Sequence, residues 1–280
     1  MSSSFVHLHV HTEYSILDSI TNIAKMVSKA VADGMTAVAI TDHGSMFGVK
    51  EFFDCIKKKN AGIDDPAKRI KPIIGCEVYV ASGSRFDKKG KEDRSGNHLI
   101  LLAKNKTGYH NLVKLVSLGY IEGFYYKPRI DKDILEKYRE GLMVLSACIA
   151  GEIPQYIMDG NIAEAEKAIL WYKERFGDDF YLELQRHPTS KSGTATDVFQ
   201  RQQEVNPVLV ELSKKHNVKC IVTNDVHFVN ENEAEAHDYL LCISTGKLVS
   251  DENRMRYTQQ EWFKTRAEME ALFARKVDEV

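Results

Sequence analysis

The sequence contains no apolar run approaching the length that crosses a membrane, so a helical membrane protein is excluded. Its opening Met-Ser-Ser-Ser leads directly into a strand-like stretch and lacks the basic and apolar regions of a signal peptide. Cysteine is scarce: five in 280 residues, an odd number without regular spacing, which argues against a disulfide framework and for reduced thiols. A cytoplasmic protein is therefore expected. Charge of one sign is not in excess either, because 38 Lys and Arg against 40 Asp and Glu leave a net charge of -2. No global basic field advertises nucleic acid, although a few local contacts can still hold such a substrate. There is no P-loop, no Gly-x-Gly-x-x-Gly after a strand and no serine-centred nucleophile elbow. What remains is 43% hydrophobic content, enough for one large α/β domain or two small ones.

The most informative stretch is Phe5-Val6-His7-Leu8-His9-Val10-His11-Thr12, where histidines alternate with apolar residues. Period 2 reads as a buried strand with the imidazoles on one face. Neutral imidazole is the commonest ligand for zinc-like ions, so such a face is a metal-ligand ladder. Further strand-like runs lie at 36–41, 72–80, 98–103, 142–147, 180–185 and 218–223. Helical segments are expected near 20–33, 47–59, 107–118, 161–176, 200–216 and 231–244. This alternation predicts βα units and a largely parallel sheet, open or closed into a barrel. One connection departs from the rule. Residues 81–97 are rich in Gly, Ser and charge and show no helical period, whereas a parallel crossover needs a covering helix. The third and fourth strands are therefore expected to be antiparallel, joined by a long mobile loop whose charge run 87–94 is a solvated tip.

Sites in parallel α/β architectures form where strands end. Here the strands end in His9 and His11 with Asp18 beyond, in Asp42-His43, near Glu77, at Cys148, and in Asp225 and His227. His98 begins the fourth strand, which suits the same rim only if that strand is reversed. Nine donors (His9, His11, Asp18, His43, Glu77, His98, Cys148, Asp225, His227) exceed what one tetrahedral ion uses. Two or three divalent ions are expected, and the mixed donor set suits zinc, manganese or iron better than magnesium or calcium. Closely spaced ions of this kind activate water and clamp a phosphoryl oxygen, the chemistry of phosphoester hydrolysis. Lys127, Arg129, Arg186 and His187 are candidate phosphate-binding groups. His7 is expected to lie deeper, in the core or behind a ligand. His110, His216 and His237 are expected on helix surfaces, and Cys55, Cys76, Cys220 and Cys242 as small core hydrophobes.

These residues resemble the PHP family, the polymerase and histidinol phosphatase group of metal-dependent phosphoesterases. The matching motifs are His9-Val10-His11-Thr12, Thr41-Asp42-His43-Gly44, Glu77, His98, Cys148 and Asn224-Asp225-Val226-His227. More narrowly, four stretches resemble the PHP domains at the N-terminus of bacterial DNA polymerase III alpha subunits: His7 to Asp18, Lys104 to Tyr109, Gly123 to Arg129, and Tyr181 to Gln185. Arg254 to Thr265 resembles the segment leading into the polymerase body, which divides the chain into a PHP domain at 1–250 and the start of a connection at 251–280. The resemblance implies a distorted (βα)7 barrel with a trinuclear site. His9, His11, Glu77 and Asp225 would hold one ion, Glu77, His98 and Cys148 a second, and Asp18, His43 and His227 the third. Ser19 departs from the Gly common after the Asp in the family, which touches a turn and no ligand.

Three functions follow. The first is a 3′–5′ exonuclease that trims mispaired primer ends, with Asp225, His227 and Glu77 at the chemistry and the primer 3′ end of DNA as substrate. The second is a small-molecule phosphatase of the histidinol-phosphatase type. The third is a non-catalytic platform that stabilises the polymerase body and docks a separate proofreading subunit or other replisome subunits. The polymerase-type motifs disfavour the second, and the complete donor set disfavours the third.

Overall fold

The computed structural model describes residues 5–91, 93–191 and 193–274. Glu92 of the expected loop tip and residues 275–280 of the expected connection lie outside this set. In chain order the elements are α1 (Ile23–Ala32), β1 (Ala37–Ile40), α2 (Val49–Lys59), β2 (Lys71–Val80), β3 (Asn97–Ala103), α3 (Lys106–Ile121), β4 (Phe124–Tyr125), β5 (Lys127–Ile130), α4 (Lys132–Lys137), β6 (Leu142–Leu145), α5 (Glu152–Met158), α6 (Ile162–Phe176), β7 (Phe180–Gln185), α7 (Thr196–His216), β8 (Lys219–Thr223), α8 (Ala234–Thr245) and α9 (Arg266–Phe273). None of the described helices is long and apolar enough to cross a membrane.

The sheet curls into a ring of seven extended segments. β1 pairs with β2 in parallel, β3 runs antiparallel to both β2 and β6, and β6, β7 and β8 follow in parallel. The histidine-bearing segment 7–11 closes the ring. On one side Ala39 N donates to His7 O (3.1 Å) and Thr41 N to Val10 O (2.8 Å). On the other, Val226 N donates to His9 O (3.2 Å) and His11 N to Val226 O (2.8 Å), beyond the end of β8. The expected barrel and the expected reversal of the fourth strand are both present. A β4–β5 hairpin, not foreseen from the sequence, hangs on the far end of β2 through Tyr79 and Arg129.

Period 2 then sorts the ring interior. Its lower part is apolar, with Ile100, Leu102, Leu145 and Ala147 packed against Ile73, Met143, Tyr181 and Ile221. Stepping by two along the same strands brings up Glu77, His98 and Glu183 at the opposite end. Because β3 is reversed, its first residues reach the rim where its neighbours' last residues lie. Outside the ring, α3, α5, α6 and α7 bury Leu112, Ile153, Ile169 and Leu209 against Leu101 and Val144, while α1 and α2 bury Met26 and Phe52 against Val38. At ~25 cal/mol per Å² these apolar contacts dominate the favourable side of folding.

The 81–97 connection is pinned, contrary to the mobility expected of it. Arg85 binds Asp131 (2.9 Å) and Glu122 (2.7 Å), and Arg129 reaches under the loop. The Arg129 guanidinium is fully buried and donates to the carbonyls of Gly123 (3.1 Å), Arg85 (3.1 Å) and Asp87 (2.7 Å). A side chain at position 123 would collide with Arg129 O, its Cβ falling 1.8 Å away, so only glycine lets the chain pass so close. The chain after α8 is likewise built into the fold: Asn224 Nδ2 donates to Gln260 O and Trp262 O (both 2.8 Å), and Phe263 is fully buried beside Val10 and Val226. Replacing Arg129 by Met should leave three carbonyls, that of Gly123 buried and those of Arg85 and Asp87 partly so, without their donor and cost about 3 kcal/mol of stability. Urea unfolding checks this: a phosphate-contacting arginine would leave the midpoint unchanged.

Candidate metal centre

All nine expected donors meet at one end of the ring. His9 and His11 come from the closing segment, Asp18 from the turn after it, and His43 from the end of β1. Glu77 lies in β2, His98 in β3, Cys148 after β6, and Asp225 and His227 after β8. Three residues at this rim, Leu17, Ala147 and Asp225, hold left-handed backbone with φ of 63°, 63° and 47°. Non-glycine residues adopt this region at a cost and do so most often at functional sites.

Glu77 is the hub. It is fully buried, and its Oε1 lies 2.9 Å from His98 Nδ1 and 3.4 Å from His9 Nε2. Its Oε2 touches His43 Nδ1 and stands 3.8 Å from His11 Nε2. Asp225 Oδ1 approaches His9 Nε2 at 3.0 Å and His11 Nε2 at 3.2 Å. Asp18 Oδ2 approaches His43 Nε2 at 2.6 Å and His227 Nε2 at 3.4 Å. Cys148 Sγ is 3.8 Å from His98 Nδ1. Donor atoms fall into three overlapping groups able to hold an ion: His9, His11 and Asp225; His43, Glu77 and His98; and His11, His43 and His227. The first shares three residues with a grouping implied by the resemblance; the second has His43 where the resemblance implies Cys148, and the third has His11 where it implies Asp18.

Electrostatics accounts for how so many polar groups stay buried. Burial opposes ionisation of Glu77, but His98 and His43 outweigh it and hold its carboxyl well below the usual range. Asp225 is likewise held well below that range by His9 and His11 against its burial. Burial pushes His43 down, yet Glu77 and Asp18 overcome it and raise its pKa to about 10. His9 is raised in the same way by Asp225 and Glu183, and His227 by Asp18 and Asp225. His11 is the exception: burial, with His43 and His227 beside it, lowers it to about 3, so it stays neutral. Burial, with Asp225 and Glu77 nearby, pushes the Cys148 thiol well up.

The donor set fits divalent ions. Glu77 Oε2, Asp225 Oδ1 and His43 Nδ1 are buried and make no hydrogen bond. Buried polar atoms rarely lack a hydrogen bond, and these three meet only ion-pair neighbours within the cluster, Glu77 Oε2 against His43 Nδ1 and Asp225 Oδ1 against His9 and His11. A divalent ion satisfies them, while the mixture of imidazole, carboxylate and one thiol suits zinc, manganese or iron.

The supporting roles of several residues were not foreseen from the sequence. Glu183 Oε1 accepts from His9 Nδ1 (2.6 Å), from Gln185 Nε2 (3.0 Å) and from Thr223 Oγ1, which fixes the tautomer that leaves His9 Nε2 free to ligate. Asp42 accepts from Thr12 N (2.6 Å) and Ser15 Oγ (2.8 Å) and holds the turn that carries Asp18. Tyr257, from the segment expected to connect onward, places its hydroxyl 3.2 Å from His227 Nε2 and 3.4 Å from Asp18 Oδ1. His237, expected on a surface, is buried and donates from Nε2 to Asp18 O (2.7 Å) because α8 turns that face toward the site. His110 is exposed and His216 half-buried beside Glu166. His7 is core, bonded to Lys264 O (2.8 Å) and packed on Phe263.

The candidate phosphate groups separate. Lys127 lines a cleft of about 490 Å³ that opens onto Asp18, His43 and His98, and its Nζ sits 5.4 Å from the Tyr79 ring centre. Arg129 is committed to three carbonyls, as described above. His187 is buried and ties β7 to the Asp225 turn, donating from Nε2 to Asn224 O (3.1 Å). Arg186 is half-buried, its guanidinium 5.9 Å from the Phe199 ring and off the cleft lining.

Two outcomes follow. His43, with its pKa raised to about 10, carries a proton at neutral pH that an incoming ion must displace. Zinc uptake at pH 7 should therefore release protons and weaken as pH falls; calorimetry in buffers of different ionisation enthalpy measures the count, and zero release would contradict it. Glu183→Gln should lower metal affinity by about 10- to 100-fold without unfolding the protein, measured by competition with a chromophoric chelator.

The PHP domain family matches residues 7–187. The chain is similar to DNA polymerase III subunit alpha of Borreliella burgdorferi, 47% identical over 273 residues, which is 97% of this chain and 22% of that protein. It is 42% identical to the same subunit of Treponema pallidum over 273 residues, 96% of this chain and 22% of that one. The chain thus spans about a fifth of the length of these curated relatives, with 22% covered in each. Among solved structures, histidinol phosphate phosphatase of Lactococcus lactis is 15% identical with a TM-score of 0.39, covering 92% of this chain and 98% of that one. The matched region spans the closing segment, the ring as far as β7 and seven of the nine donors, and the chain belongs to the PHP domain family.

Proposed function

We propose that this chain is the N-terminal PHP domain of a DNA polymerase III alpha subunit and hydrolyses the terminal phosphodiester of a DNA 3′ end, acting in proofreading during replication in the cytoplasm. The observation that carries the reading is the convergence of nine intact donors on buried Glu77 at the floor of an open cleft. The similarity of 97% of the chain to a replicative polymerase subunit supplies the substrate class.

In this reading His9, His11, Glu77 and Asp225 hold one ion, with Asp18, His43, His98, Cys148 and His227 completing a two- or three-ion centre. Bound ions of this type polarise phosphoryl oxygens and acidify water. The chain's own groups do the rest. Glu183 and the Asp225 carbonyl orient His9 and His227 by accepting from their Nδ1 atoms (2.6 Å and 2.8 Å). Tyr257, whose pKa burial holds well above the usual range, keeps its proton and is a hydrogen-bond donor for an oxygen at the cleft floor. Lys127 at the lip meets phosphate charge. Residues 251–280 begin the connection to the polymerase body, and a separate proofreading subunit or other replisome subunits are further partners.

The test uses a 3′-labelled oligonucleotide with the full-length, metal-loaded protein, other nucleases being excluded. Asp225→Asn should slow nucleotide release by more than about 100-fold, since it removes a ligand charge where even an outer partner is worth 10- to 100-fold. Its thermal midpoint should stay close to wild type. Equal release from both proteins, or none from the wild type, would leave the domain as a structural platform; release of phosphate from histidinol phosphate alone would favour the small-molecule reading.

A further inference from the structure

The cleft above the metal centre has an aromatic rim that its chemistry does not use. Phe47 precedes α2, Tyr120 ends the exposed face of α3, and Phe124 and Tyr126 belong to the β4–β5 hairpin, so three separate elements bring their rings to one lip. Their ring centres follow at 6.2 Å from Phe47 to Tyr120 and 6.2 Å from Tyr120 to Phe124, with interplanar angles of 41° and 21°. They remain 61%, 40%, 49% and 62% exposed for Phe47, Tyr120, Phe124 and Tyr126. Single exposed apolar residues are ordinary, whereas a contiguous row is not. Tyr126 is moreover held at φ 63°, a backbone region that non-glycine residues avoid, and its ring stands out at the hairpin tip. Cations are interleaved with the rings: the Arg94 guanidinium lies 4.7 Å from the Tyr126 ring centre, and Lys127 Nζ lies 5.4 Å from that of Tyr79.

We infer that this rim is a stacking track for the unpaired bases of a single-stranded DNA 3′ end, which leads the terminal phosphodiester down to the donors. The inference rests on the reading of the site as acting on DNA ends. Every base has a π-face, so aromatic platforms flanked by cations hold single strands without regard to sequence. A covering protein segment would also satisfy apolar rings, but it would close the cleft that reaches Asp18, His43 and His98. The substrate is therefore a frayed or mispaired end, since the bases behind a paired terminus have both faces occupied by their neighbours and cannot enter a row of rings. Selectivity against paired ends comes from stacking and not from reading any base edge.

Photocrosslinking in the full-length, metal-loaded protein tests this. The probes are oligonucleotides made resistant by terminal phosphorothioate linkages, each with a single 5-iodouracil at a chosen distance from the 3′ end. Adducts should fall on peptides bearing Phe47, Tyr120, Phe124 or Tyr126 when the label lies within about three nucleotides of the end, and leave those peptides when it is moved far upstream. Phe124→Ala and Tyr126→Ala should each lower the yield on the remaining rings by about fivefold or more, the loss of one base stack, with the fold checked by circular dichroism. A fully paired blunt end should give little adduct there. Adducts confined to other peptides, or yields unmoved by both substitutions, would overturn the track. Adducts at the rim from a protein that releases no nucleotide from an unmodified oligonucleotide would uphold the track and remove the nuclease reading.

Discussion

A single buried carboxylate organises this protein. Glu77 sits at the hub of four imidazoles, and it and His43 make each other tolerable in a place where neither could be charged alone. An isolated ion so far from water would cost several kcal/mol. The compensation extends outward: Asp225 answers His9 and His11, Asp18 answers His43 and His227, and Glu183 anchors His9 from behind. Without such cross-neutralisation the upper half of the ring would have to be apolar, as its lower half is.

That division of the ring also separates stability from chemistry. The apolar layer of Ile100, Leu102 and Leu145 and the helices outside carry the fold, whereas the rim carries strain, unpartnered polar atoms and opposing charges. Substituting a ligand therefore disturbs the site more than the architecture. Two of the four candidate phosphate binders, Arg129 and His187, belong to the architecture: one clasps carbonyls of Gly123 and of the 81–97 loop, and the other fastens β7 to the Asp225 turn.

Much of this was legible in the amino-acid sequence, and for a physical reason. Strands buried on both faces read as short continuous apolar runs, so all seven ring segments were visible, and the absence of a helical period in 81–97 revealed the reversed strand. The donors were visible because they sit where those runs stop. Glu183 was not, since a polar residue inside a strand reads as alternation until its partner across the ring is known. His237 was misplaced because its sequence neighbours are polar, yet α8 turns that one face inward. The β4–β5 hairpin escaped because strands of two and four residues give no period to detect. The role of Tyr257 depends on a chain return that no local pattern encodes.

The reversed direction of β3 has a consequence for how such a domain can change. In an all-forward barrel, each ligand-bearing strand end is joined to its successor by a helix and a loop at the far face, so neighbouring ligands are remote along the chain. Here Glu77 and His98, 21 positions apart in sequence, face each other at 2.9 Å, and no described helix lies between them. Beyond the part held by Arg85 and Arg129, the 81–97 connection can change length or charge without shifting the register of any ring strand, because both its ends are already fixed by the ladder between β2 and β3. Access to the centre is thus the most freely variable property of this architecture, and the ligand geometry the least.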